Sequence, residues 1–195
     1  ADGSVISTFD VKTEAEGNHW LGHVGCNPTG GFTITGSRTD TDDTTFGVFV
    51  QRYDNEGAAQ GDAFGVNPSP DGTQVQPVVA IAPDGTGVVV YEDSPNDTNY
   101  VLTGRTIGDS AAESQAFTVL GSEGADALKP AIAISYTGQV TYAGNVGAQV
   151  QLMTVESLQT PEPGEAWLKT FGSFVFPAIT YLSQEGDLAL VSLMN

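Results

Sequence analysis

One phrase occurs four times along this chain, and that repetition restricts the fold more than any other feature. An aromatic residue in a short apolar run is followed by a loop, then by a glycine or proline that opens a second apolar run. The aromatic runs begin Phe9-Asp10-Val11, Phe64-Gly65-Val66, Phe117-Thr118-Val119 and Trp167-Leu168-Lys169, and the second runs begin at Gly22, Pro77, Pro130 and Pro177. The aromatic recurs after 55, 53 and 50 residues, and the Gly/Pro after 55, 53 and 47. Two landmarks moving in near-register define an internal repeat, and a period of about 50 residues belongs to arrays and propellers.

Each unit reads as four short strands. In the clearest copy, Pro77–Ala82 is the first strand, and Pro83-Asp84-Gly85-Thr86-Gly87 closes it with the proline and glycines that a tight reversal needs. Val88–Tyr91, Tyr100–Arg105 and Ala116–Leu120 follow, with an acidic loop, Glu92 to Asn99, after the second strand. The first unit fits the same frame with Gly22–Asn27, Phe32–Gly36, Phe46–Tyr53 and Ala63–Asn67. The third fits it with Pro130–Ser135, Gln139–Ala143, Ala148–Val155 and Ala166–Thr170. Pro177–Leu182 and Asp187–Leu193 supply two strands of a fourth, and the run Val5–Val11 aligns with a fourth strand. The expected architecture is all-β: one propeller-like domain over residues 1–195, with units 22–67, 77–120, 130–170, and 177–195 plus 5–11. The last unit, split between the two ends, is one strand short; a three-stranded blade, a partner chain that fills the gap and a chain that is one piece of a larger repeat protein are the competing readings, and an open strand edge invites a neighbour.

Composition agrees. Apolar residues make up 39% of the chain, with 24 glycines and 10 prolines. No amphipathic helical stretch stands out, which suits an all-β chain rich in turns. There are 24 Asp and Glu against 6 Lys and Arg, a net charge of −18. Nucleic acid and anionic membrane surfaces are poor partners, because binding them requires clustered cations. No run is long enough to insert in a bilayer. A lone cysteine, Cys26, excludes an internal disulfide. The acidity points to an exported protein at the cell surface or beyond.

The series Gln51-Arg52-Tyr53-Asp54-Asn55-Glu56-Gly57, Phe64-Gly65-Val66-Asn67, Gln74-Val75-Gln76-Pro77-Val78-Val79-Ala80, Asp84-Gly85 and Val88-Val89-Val90-Tyr91 resembles repeats of large bacterial secreted and cell-surface proteins. The match covers residues 46 to 93 and fades in the third unit, where Thr137-Gly138 stands in for Asp84-Gly85. The resemblance implies propeller blades that carry no catalytic group.

Candidate sites are few. His19, His23 and Cys26 suit a soft metal by type. On an extended strand, however, His19 and His23 lie about 13 Å apart at ~3.3 Å per residue. Residues three apart, such as His23 and Cys26, point to opposite faces. The acidic loops offer Asp40, Asp42 and Asp43 in one unit and Asp93 and Asp97 in the next as oxygen ligands for Ca²⁺. A solvated acidic turn is the competing reading. The third unit has Gly144-Asn145-Val146-Gly147 there, so the fold does not require the acids. No other cofactor is called for. Trp20, Tyr53, Tyr91 and Tyr100, with Tyr142, are candidates to stack on a sugar, set against ordinary core packing.

Arg52 and Arg105 fall in equivalent third strands, which suggests repeated structure. No G-x-S-x-G, H-E-x-x-H or phosphate-loop motif occurs. The leading expectation is therefore a non-catalytic extracellular structural or adhesive protein, acting through protein contacts or self-association as a subunit of an assembly. A glycan-binding module is the alternative, with a glycoside hydrolase behind it; that chemistry needs two carboxylates at a set spacing.

Overall fold

Each repeated unit folds into its own antiparallel ladder. The computed structural model describes residues 8, 11, 18–27, 30–39, 45–68, 71–96, 98–109, 111–112, 116–121, 125–156, 167–171, 174–181 and 188–194. The first unit is β1 (His19–Cys26), β2 (Phe32–Thr39), β3 (Phe46–Tyr53) and β4 (Ala59–Gly65). The second is β5 (Thr73–Ile81), β6 (Gly87–Ser94), β7 (Val101–Ile107) and β8 (Phe117–Leu120). The third is β9 (Ala127–Ile134), β10 (Val140–Val146), β11 (Gln149–Val155) and β12 (Trp167–Phe171), and the fourth is the hairpin β13 (Phe174–Tyr181) and β14 (Leu188–Met194). Within each unit successive strands pair antiparallel, and a single parallel pair, Phe46 with Thr73, joins the first two ladders. The described residues contain no helix.

The reversal after the first strand is built the same way three times. Asn27 N–H donates to the Gly31 carbonyl, Ala82 to Thr86 and Ser135 to Gln139. Gly30, Gly85 and Gly138 take the positive φ inside these turns. Thr137-Gly138 thus does the work of Asp84-Gly85. Asp54-Asn55-Glu56-Gly57 closes another turn, its Asp54 carboxylate accepting from the N–H groups of Glu56 and Ala58 at 3.0 and 2.8 Å. The repeated motif is largely turn and core chemistry.

The core lies between units rather than within them. Along β6 the side chains alternate between two seams. Val89 and Tyr91 pack with Val48, Val50 and Val66 of the first unit. Val88 and Val90 pack in the cluster that holds Tyr142 and Met153 of the third. Ala143 and Leu152 then face Ile179 of the fourth. Sheets stacked face to face in sequence, with both faces buried, are the blades of a propeller. The run Val5–Val11 lies outside the described residues except for Thr8 and Val11.

Two sequence expectations are refined. Gly144, Asn145 and Val146 belong to β10, and the third-unit turn is only Gly147-Ala148. Arg52 and Arg105 do lie in equivalent strands, but one register apart. Arg52 pairs with Thr33 and through it Gly25, three residues after Gly22, whereas Arg105 pairs with Val89 and through it Val79, two after Pro77.

Candidate functional site

The four glycine or proline landmarks of the repeat meet at one place. In every unit the first strand carries one extra residue at the landmark, so that its ladder shifts between Leu21 and His23, Val75 and Val78, Leu128 and Ala131, and Val175 and Ala178. Such a β-bulge bends the strand and re-aims its side chains. Proline suits the second position because it has no N–H to contribute to the ladder. The first unit uses glycine because a Cβ at Gly22 would overlap the Pro77 carbonyl and ring.

Gly22, Pro77, Pro130 and Pro177 together line a cavity of about 560 Å³, with Trp20, Ser37, Phe46, Val75, Gln76, Val78 and Lys129 completing its wall. Trp20 is 49% exposed. Its indole leans on Phe46 with ring centroids 4.7 Å apart at 52°. Gln76 and Lys129 enter the cavity from the bulges with left-handed φ values of 53° and 56°. The Lys129 bulge is pinned by Glu92, whose Oε1 accepts the Lys129 N–H at 2.7 Å. Glu92 is buried, and that burial raises its carboxyl pKa above the usual range, with the Lys129 amide and charge opposing the rise. The axial cavity is mostly apolar with a few converging polar groups, the common form of a small-ligand site.

The sugar candidates separate clearly. Trp20 lines the cavity. Tyr53 and Tyr91 do not; at 3% and 0% exposure they are core residues, and no ring face is left for a ligand. The correction has a simple cause: in stacked sheets both faces of a strand are buried, so alternation with polar residues does not signal exposure. Tyr142 is buried likewise in the second seam, edge-on to Phe117. Tyr100 is partly buried, and its backbone is tied to the third unit by its N–H to Asp126 at 2.9 Å and its carbonyl to Ala127 N–H at 2.8 Å. It is not part of the cavity wall.

Of the calcium candidates, Asp40, Asp42, Asp43 and Asp97 lie outside the described residues. Asp93 has both oxygens engaged, accepting from Gln74 Nε2 at 3.2 Å and Thr103 Oγ1 at 3.1 Å. It borders a second cavity of about 590 Å³ shared with Asn67, Asp71 and Asn96. Among the described residues no three His, Cys, Asp or Glu groups come together as a metal site. His23 accepts the Val79 N–H at its Nδ1 (3.4 Å), and packing against β5 lowers its imidazole pKa. The ladder is unbroken from His23 to Cys26, so the two side chains point to opposite faces.

Sequence reasoning missed Phe46, Gln76 and Lys129. The signal for the last two was positional: each immediately precedes a repeat landmark.

No family model matches this sequence, and no curated protein matches it. Solved structures do match in fold. A putative TolB from Agrobacterium tumefaciens superposes with a TM-score of 0.54 at 12% identity over 94% of this chain. An α-L-arabinanase from Penicillium chrysogenum, complexed with arabinobiose, gives 0.61 at 13% over 89%. An α-L-arabinofuranosidase from Lactobacillus brevis gives 0.52 at 11% over 83%. TolB and the arabinanase are β-propellers, and the likeness establishes that fold. The matches extend over 61%, 58% and 61% of those chains, so this chain spans less than two thirds of their length.

Proposed function

We propose that this chain is a non-catalytic carbohydrate-recognition module, acting outside the cytoplasm, with the axial cavity as its binding site. The observation that carries the reading is the convergence of all four repeat landmarks on a cavity whose wall presents the half-exposed Trp20 beside Phe46. A large aromatic surface left open on the wall of a cavity is suited to stacking on the apolar face of a sugar ring. The arabinobiose complex of the arabinanase belongs to that protein; at 13% identity its likeness carries fold, and the sugar reading rests on the cavity.

Binding of the full chain to a broad glycan panel tests this. Trp20→Ala should abolish binding while leaving the melting temperature close to the parent's, because the indole is half exposed. A panel with no binder, or binding unchanged in Trp20→Ala, overturns the reading.

A second reading, adhesion through protein contact, is favoured by the fourth unit. Among the described residues β14 pairs only with β13, leaving a strand edge of the kind that accepts a neighbour. Native mass measurement at rising concentration tests it: a particle that stays at 20.2 kDa removes self-association.

A further inference from the structure

We propose that the axial cavity takes a neutral sugar, whose hydroxyls are recognised by the Ser37 hydroxyl and the Gln76 amide while its ring stacks on Trp20. The inference rests on the carbohydrate reading of that cavity and specifies both the ligand's chemical class and the residues that select it.

Ser37 is a buried polar residue without a use inside the fold. It lies directly opposite Trp20 in the β1–β2 ladder, where facing side chains stand about 5 Å apart on one side of the sheet. Both line the cavity. Ser37 is 3% exposed, and its side chain makes no hydrogen bond to another described residue. Its neighbours on the same face of β2 are paired: Thr35 Oγ1 donates to the Phe49 carbonyl and Thr33 Oγ1 to Asn27 Oδ1. The Ser94 hydroxyl, also unpaired, is sealed inside the second unit, whereas Ser37 opens on the cavity. Buried hydroxyls are normally paired, and an exception calls for a reason. Beside a half-exposed indole on a cavity wall, that reason is a ligand group.

Gln76 comes in from the next unit. Its side chain is exposed on the cavity wall and likewise makes no hydrogen bond to another described residue. Its backbone is left-handed at φ 53°, a conformation that glycine adopts freely and other residues adopt at a cost. Elsewhere this chain uses glycine for that purpose, as at Gly30, Gly85 and Gly138. Lys129 shares the angle, but Glu92 holds its N–H and so gives that bulge a structural reason. Gln76 has no such anchor among the described residues, and its long amide is kept all the same. Strain retained at a concave site marks a side chain kept for what it contacts.

The class of ligand follows from charge. Among the described residues no aspartate or glutamate lines the cavity, and its one cation, Lys129, is already engaged, its charge acting on the buried Glu92 carboxyl. The net charge of −18 disfavours an anion further. What remains to make polar contacts is a hydroxyl and an amide, each both donor and acceptor. A sugar hydroxyl donates and accepts in the same way, so a neutral sugar satisfies both without burying an unpaired charge.

The experiment uses the full chain with neutral oligosaccharides of glucose, galactose, mannose, xylose and arabinose, beside oligogalacturonides and glucuronate oligosaccharides as the anionic set. Dissociation constants and melting curves are measured for the parent, Trp20→Ala, Ser37→Ala and Gln76→Gly. A neutral member should bind, and no uronate should bind more tightly. Ser37→Ala and Gln76→Gly should each weaken that binding about three- to tenfold, the range of one neutral hydrogen bond. Neither should melt below the parent, because alanine removes an unpaired buried hydroxyl and glycine relieves the left-handed backbone. Monodeoxy forms of the bound sugar give a readout that a merely structural role would not move. The form lacking the contacted hydroxyl should bind the parent about three- to tenfold more weakly, yet lose nothing further in the matching variant. Gln76→Met, as long but without the amide, repeats the test if glycine loosens the bulge. A preference for uronates overturns the inference and leaves the carbohydrate reading intact. So does Trp20-dependent binding of a neutral sugar that is indifferent to Ser37→Ala or to both Gln76 variants. A panel without binders removes both.

Discussion

Arg52 and Arg105 fasten the same seam from opposite sides. Arg52, on β3, reaches forward and donates from Nε and Nη2 to the Gly108 carbonyl at 3.1 and 2.7 Å, with both terminal nitrogens 3.4 Å from the Gly85 carbonyl. Arg105, on β7, reaches back and donates from Nη1 to the Val66 carbonyl. A one-residue offset in register sends the two side chains to opposite faces, so the first and second units hold each other.

Arg52 is 7% exposed, and its loss leaves the partly buried Gly85 and Gly108 carbonyls without its guanidinium. Arg52→Ala should cost about 2–3 kcal/mol. Arg52→Lys should lose most of that as well, because an ammonium cannot reproduce the planar fork. Urea denaturation reads both. A cost under about 0.5 kcal/mol, the range of ordinary surface changes, would show the clasp to be idle.

Gly104 and Gly65 should respond oppositely to alanine. A Cβ at Gly104 would come within 2.6 Å of the Phe117 ring, while at Gly65 nothing lies within 4 Å. Gly104→Ala should destabilise by about 1–3 kcal/mol through overpacking. Gly65→Ala should be neutral or stabilising by up to about 1 kcal/mol, because it restricts the unfolded chain. Paired denaturation curves decide, and equal effects would contradict this account of the second seam.

Glu92 gives the fold a pH dependence of known sign. Burial raises its folded pKa, so the folded state favours the proton. That contribution is fully present below the unfolded value of about 4.3 and is lost as pH rises through the raised folded value. Glu92→Gln keeps an oxygen for the Lys129 N–H and removes the buried charge. It should melt above the parent at pH of about 7, with the gap closing near pH of about 4. Lower melting of the variant at neutral pH would mean that the carboxylate charge is stabilising here.

Tyr181 ties the fourth unit to the third. Its hydroxyl meets Thr141 Oγ1 at 2.8 Å and donates to Gln139 Oε1 at 3.2 Å. Tyr181→Phe should cost about 1 kcal/mol, read as a lower midpoint in denaturant. Its phenol pKa is raised, chiefly by burial. The stabilising contribution of that phenol is therefore lost as pH rises past the raised value, and the parent should approach the phenylalanine variant in alkali.

Much of this architecture was legible because a repeat repeats its turns. Asp84-Gly85 announced one reversal, and the period carried it to Thr137-Gly138, where the local signal is weak. The arginine offset was not legible: Arg52 and Arg105 are 53 residues apart in a strand whose true repeat, Arg52 to Thr106, is 54, and loop lengths conceal the difference. Tyr53 and Tyr91 misled because a strand buried on both faces can still alternate polar with apolar. Gln76 and Lys129 carried only a positional signal, each immediately before a repeat landmark, because a left-handed backbone angle leaves no other mark in the sequence when the residue is not glycine.

Because β6 faces two seams at once, its length is fixed in a way its loops are not. Deleting one residue between Val88 and Tyr91 would exchange the faces, turning Tyr91 toward the third unit and Val88 or Val90 toward the first. Two clusters would fail together. Length change must therefore be absorbed between strands, and the chain does so: the connection after the second strand spans six residues in each of the first two units, 40–45 and 95–100, and two in the third, 147–148. The connection after the fourth strand loses four residues in the same way, 121–126 against 172–173, while the one after the third gains two, 108–116 against 156–166, as the repeat shortens from 53 to 47 residues. Evolution and the protein engineer face the same rule here, that residues can be added or removed at the rims but never inside a blade.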